Sequence, residues 1–148
     1  MKIAIGCDHG GFVLKSAIVE YLSSRGIEVV DYGTDSEMSV DYPIYGEKVA
    51  KAVSSHECDK GILMCGTGIG ISIAANKVKG IRCGVAHDEF TAEMTGAHNG
   101  SNILAMGGRV VRPELAVKMV KAWLDAPQVE GRHQKRVDMI SDIEKRSL

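Results

Sequence analysis

Residues 61–70, Gly61-Ile62-Leu63-Met64-Cys65-Gly66-Thr67-Gly68-Ile69-Gly70, decide how the rest of the chain reads. The first five are almost wholly apolar, the pattern of a strand covered on both faces. Three glycines at alternate positions then break the run, and residues 69–78 read as a helix. A strand that passes through a glycine turn into a helix is the repeating unit of a parallel α/β sheet. Outward from this stretch the same alternation recurs. Residues 2–7, 27–32, 81–86 and 102–106 read as four further strands. Leu14, Ala17, Ile18, Tyr21 and Leu22 follow the i, i+3, i+4, i+7, i+8 stripe of an amphipathic helix, which Gly26 stops. Helical patterns cover 45–54 and 89–95, and another follows Arg112-Pro113, with Leu115, Met119 and Trp123 on one stripe. The expected fold is a single α/β domain over residues 1–148: three layers around a mainly parallel five-stranded sheet, with a C-terminal helix. The pattern gives no strand order.

Composition narrows the function. The 148 residues carry 18 basic and 19 acidic side chains. So even a balance speaks against a dedicated nucleic-acid binder. No run of about 18 apolar residues exists, so no membrane span is expected. The N-terminus holds one Lys and a short apolar run rather than a signal peptide, which makes a cytoplasmic protein the expectation. Cys7, Cys58, Cys65 and Cys83 form no close ligand pair, so free thiols are expected and neither disulfides nor a structural metal site. Glycine is abundant, 17 residues against a usual share of about 7%.

In a parallel sheet, ligands bind beyond the carboxyl ends of the strands. Asp8-His9-Gly10-Gly11, Cys65 to Gly70 and His87-Asp88 all follow strands. Successive N–H groups from Gly66 to Gly70 at a helix start suit an anion. The same glycines would also serve a tight strand-to-helix turn. The Gly-Lys-Ser/Thr ending of a nucleotide-binding loop is missing. Cys65 sits where a helix dipole favours thiolate, which suits a base or a nucleophile. Asp8 or His9 could instead cap the first helix. His98-Asn99 lies in a polar stretch before the fifth strand, and His is the side chain suited to proton transfer near pH 7. At about 100° per residue, Arg132 and Arg136 share a helical stripe with Met139, Ile140 and Ile143. Two arginines among apolar side chains would face the protein or a partner, and an anion such as a phosphate would resolve the conflict.

Five blocks in order, IAIGCDHGGFVLK (3–15), DYPIYG (41–46), CGTGIGISIAANKVKGIR (65–82), AHNGSNILAMGGRVV (97–111) and GRHQKRV (131–137), resemble ribose-5-phosphate isomerase type B. That family also contains galactose-6-phosphate and allose-6-phosphate isomerases. The resemblance runs from residue 3 to about residue 145. It implies a Rossmann-like α/β/α fold, a homodimer or dimer of dimers with active sites at the subunit interface, and no metal or organic cofactor. It further implies reversible isomerisation of D-ribose 5-phosphate and D-ribulose 5-phosphate in the pentose phosphate route. Cys65 would be the base, while Thr67 and the backbone of Gly66, Gly68, Ile69 and Gly70 would hold the enediolate oxygens. His98, assisted by Asp8, would open the sugar ring. Asn99 would contact sugar hydroxyls, and Tyr42 would line the pocket. His9, Arg109, Arg132 and Arg136 would bind the phosphate, and His87-Asp88 would have no catalytic role. One branch of the family uses a Glu just after the glycine loop; here that position is Ile71, which implies the cysteine-base type. Two rivals stand beside this reading: the same chemistry on a six-carbon sugar phosphate, and a non-catalytic phosphosugar-binding module.

Overall fold

The computed structural model of the protein describes residues 1–147. Five strands, β1 (Lys2–Cys7), β2 (Glu28–Asp31), β3 (Lys60–Cys65), β4 (Cys83–Val85) and β5 (Ile103–Gly107), alternate with helices. The helices are α1 (Phe12–Ser24), α2 (Tyr42–Ser54), α3 (Ile69–Ala75), α4 (Glu89–Ala97), α5 (Pro113–Leu124) and α6 (Gly131–Arg146). The strands form one sheet in the order β2-β1-β3-β5-β4, and every pairing is parallel. The α/β/α layering expected from the sequence is therefore present, with a sheet that is wholly rather than mainly parallel.

Side-chain alternation sorts the core into two layers. Ile3, Ile5, Ile62, Met64, Leu104 and Met106 pack with Leu14, Ile18 and Leu22 of α1 and with Met119 and Trp123 of α5. Ala4, Leu63, Cys65, Ile103 and Ala105 face Val49, Val53, Ile71 and Ala75 of α2 and α3. Each fully buried Leu or Ile contributes about 1.5–3 kcal/mol. Trp123 joins the first layer with its indole N–H satisfied by Ser101 Oγ at 2.9 Å.

The largest boundary differences from the sequence reading fall at α2, α3 and β4. α2 starts at Tyr42, three residues early, because Pro43 in its first turn needs no N–H partner. α3 ends at Ala75 rather than near residue 78. The Asn76 side chain both accepts from Cys83 N–H (2.8 Å) and donates to Cys83 C=O (3.0 Å), which pulls the chain into β4. β4 itself keeps only three paired residues. Among the described residues, no helix is long and apolar enough to cross a membrane.

Candidate active site

The strand order puts the carboxyl ends of β1, β3 and β5 side by side, and the chain order reverses beside β1, the place where parallel sheets bind ligands. Three turns interlock there. Asp8 N–H donates to Met64 C=O (3.2 Å), Gly108 N–H to Cys65 C=O (2.8 Å), and Arg109 N–H to Gly66 C=O (3.0 Å). The glycines allow this approach: a Cβ at Gly10 would lie 2.8 Å from Gly66 N, and one at Gly107 2.6 Å from the Thr67 carbonyl carbon. Gly68 also has φ +83°, a left-handed conformation that opens α3 and that side chains disfavour.

Cys65 lies in the floor of this turn, 4% exposed. Gly68 N–H donates to its Sγ at 3.1 Å, an arrangement that stabilises negative charge on sulfur. Thr67 is exposed, and its Oγ1 accepts from Ile69 N–H at 3.2 Å. Arg109 reaches back over the loop, with Nη1 2.9 Å from where a Gly66 Cβ would stand. Tyr42, at the start of α2, lays its ring against Gly70. Asp8 is buried and accepts from Gly10 N–H (2.9 Å) and Gly11 N–H (3.1 Å), so it shapes the turn rather than capping α1 directly. His9 is half-buried, and its Nδ1 accepts from Val40 N–H at 3.2 Å. The other thiols are of a different kind. Burial, chiefly, pushes Cys7 up to about 11, and burial together with nearby Cys65 pushes Cys83 up to about 12. All four cysteines are free. Among the described residues, no group of three His, Cys, Asp or Glu side chains is placed to hold a metal ion.

The remaining candidates stand elsewhere. α4 runs back along the sheet and delivers His98 and Asn99 to the strands' amino ends. Asn102, just beyond them, accepts from Gly61 N–H with its C=O (2.9 Å) at the start of β3. Cys65 lies at the other end of that strand, about 13 Å away at roughly 3.3 Å per residue. Arg82 secures this second turn by donating from Nε and Nη2 to Gly100 C=O (3.1 and 2.8 Å) and from Nε to Asn99 C=O (3.2 Å). His133 of α6 stacks on His98, ring centroids 3.8 Å apart and 6° from parallel. Partial burial, then the charges of His98, Arg132 and Arg136, hold His133 below the usual histidine pKa. A cleft of ≈ 760 Å³ opens beside it, lined by Arg82, Cys83, Asn99, Ile140 and Ile143. One chain thus carries two separate groups: Asp8, His9, Tyr42, Cys65, Gly66 to Gly70 and Arg109 at one end, and His98, Asn99, Arg132 and Arg136 at the other.

The sequence reading left open whether Arg132 and Arg136 face the protein or a partner. Within the chain they do not face the protein: Val137 is the buried residue of α6, flanked by half-buried His133, Ser141 and Glu144. The arginines and their companions Met139, Ile140 and Ile143 point outward. Asp88 caps α4 through Thr91 N–H (2.7 Å) in a capping box, which accounts for its place after a strand. Sequence reasoning assigned nothing to His133, Arg82 or Lys15. For Lys15 a signal was present, since it stands three and seven residues before Ile18 and Leu22 on the inward face of α1.

The Ribose/Galactose Isomerase family model matches residues 3–140. Ribose-5-phosphate isomerase B of Escherichia coli (strain K12) is 54% identical over 145 residues, which cover 98% of this chain and 97% of that protein. The structure of Clostridium thermocellum ribose-5-phosphate isomerase B superposes with a TM-score of 0.97 at 55% identity, covering 100% of both chains. D-erythrulose-4-phosphate isomerase of Pectobacterium atrosepticum is 39% identical over 145 residues, covering 97% of this chain and 95% of that one. Agreement of this length and identity, on a sheet that superposes throughout, makes the chain a member of the ribose/galactose isomerase family.

Proposed function

We propose that the protein interconverts D-ribose 5-phosphate and D-ribulose 5-phosphate by cofactor-free proton transfer. The observation that carries this reading is Cys65 in a turn of backbone N–H groups, with Gly68 N–H on its sulfur. The Cys65 thiolate takes the proton from C2 of the open-chain aldose, and the C1 carbonyl oxygen gains negative charge. The Gly66–Gly70 backbone and Thr67 Oγ1 stabilise that charge where it develops. The same thiol returns the proton to C1 while the proton of O2 passes to the negatively charged O1, which leaves the C2 ketone and a C1 hydroxyl. One base suffices because the enediolate is planar. His9, Arg109, Arg132 and Arg136 hold the phosphate, which fixes C1 and C2 against the sulfur. His98 opens the furanose ring with the help of Asp8, Asn99 contacts the sugar hydroxyls, and Tyr42 lines the pocket.

This assignment requires a second copy of the chain. His98, Asn99, Arg132 and Arg136 of one protomer complete the Cys65 end of its partner in a homodimer. The outward apolar side chains Tyr42, Ile44, Ile69 and Ile73 around one group, and Met139, Ile140 and Ile143 beside the other, support a contact between the two ends.

A coupled assay over four-, five- and six-carbon sugar phosphates tests the substrate, with the highest kcat/KM expected for the five-carbon pair. Highest kcat/KM on a six-carbon sugar phosphate would replace this substrate by the rival one. Cys65→Ala should lower kcat by at least about 100-fold, the usual worth of a general base. Calorimetry should find substrate binding largely retained. Near-normal turnover of the variant would remove Cys65 as the base.

A further inference from the structure

Lys15 is a charged residue in a place for apolar ones, 7% exposed on the inner face of α1. Its three ammonium protons are all committed: Asp31 Oδ2 at 2.7 Å, Asp35 Oδ1 at 2.9 Å and Thr34 C=O at 2.7 Å. Burial opposes this charge, but the bonds to Asp31 and Asp35 outweigh it and raise the Lys15 pKa. The segment it grips is also stitched to the end of β1, by Tyr32 N–H to Ile5 C=O (2.8 Å) and Thr34 N–H to Cys7 C=O (3.0 Å). Only four residues of irregular chain separate Asp35 from Val40, whose N–H meets His9 Nδ1. A nitrogen that accepts a backbone N–H carries no proton, so the His9 proton sits on Nε2 and is free to be donated.

We propose that Lys15 is a positioning residue for phosphate recognition: by anchoring residues 31–35 it holds Val40 N–H on His9 Nδ1 and so keeps Nε2–H as the donor to the sugar phosphate. The proposal rests on the phosphate role given to His9 above. Without the anchor, Val40 drifts, both imidazole nitrogens compete for the proton and the ring is free to turn.

Lys15→Met, nearly the same length without the charge, tests it. Expected are a KM raised about tenfold, the worth of one hydrogen bond to a charged group, with kcat within about threefold of the parent, and partial rescue by Lys15→Arg. ¹⁵N NMR of histidine-labelled protein without substrate should show one His9 tautomer in the parent and a mixture in Lys15→Met. If Lys15→Met does not fold, Asp35→Asn weakens the same anchor from an exposed side chain and should move both readouts the same way. An unchanged KM, a loss confined to kcat, or an unaltered His9 tautomer would overturn the proposal. Because the NMR readout needs no turnover, a parent enzyme inactive on sugar phosphates would overturn the function and leave the His9 tautomer still judging Lys15.

Discussion

Arginine at position 136 illustrates what a single residue can and cannot disclose. Its charge and its place on an apolar stripe point to an anion, and neither says whose anion. In the folded chain its side chain is exposed, makes no ion pair with a carboxylate among the described residues, and lies close to a second guanidinium, Arg132, and the His133 ring. Such a cluster repels itself until an anion arrives. Arg136→Ala should therefore raise KM by roughly 10- to 100-fold, the loss of a charge-assisted bidentate contact, and leave kcat nearly intact in steady-state kinetics. An unchanged KM would detach Arg136 from the phosphate. The thiols teach the same lesson, since four cysteines of one chemistry divide by environment. Burial keeps Cys7 and Cys83 protonated into the alkaline range, whereas Cys65 alone receives the N–H of a helix-opening turn.

At the scale of elements, the site depends on backbone proximity that only glycine permits. Gly68 combines φ +83° with a Cβ position 2.8 Å from the Met106 carbonyl carbon. Gly68→Ala should cost roughly 2–3 kcal/mol through strain and overpacking. Thermal melting should register a fall of about 5–10 °C, and activity should fall further because the same N–H meets Cys65 Sγ. A variant with the parent melting temperature would show that the turn adapts. The glycine surplus that stands out in the composition is thus concentrated where β1, β3 and β5 deliver their turns. Seven of the 17, Gly10, Gly11, Gly66, Gly68, Gly70, Gly107 and Gly108, lie in or directly beside those three turns.

For the whole molecule, the proposed homodimer implies a division of labour between copies. If each site takes Cys65 from one chain and His98 from its partner, two inactive variants can rescue one another. Mixing Cys65→Ala with His98→Asn subunits after joint refolding should restore about one quarter of parental activity. Half the random dimers are mixed, and each mixed dimer holds one intact site. No recovery beyond the sum of the separate variants would mean that each site is built within one chain.

Much of this protein was legible before any fold was known. Apolar runs separated by turn residues identified all five strands, because period and burial leave a local trace in β1 and β3 and in the stripe of α1. The candidate residues themselves were legible too, since a cysteine before a glycine turn and arginines on an apolar stripe are local anomalies. Strand order was not, because nothing in residues 27–32 or 81–86 says which neighbour each will pair with. Nor was the role of Lys15, whose partners Asp31, Thr34 and Asp35 lie 16 to 20 positions away. The sequence by itself determined the element types, the family and the set of candidate side chains. Only the tertiary structure decided that this set lies at two ends of one sheet, because chain direction reverses with each helix and sends His98 away from Cys65.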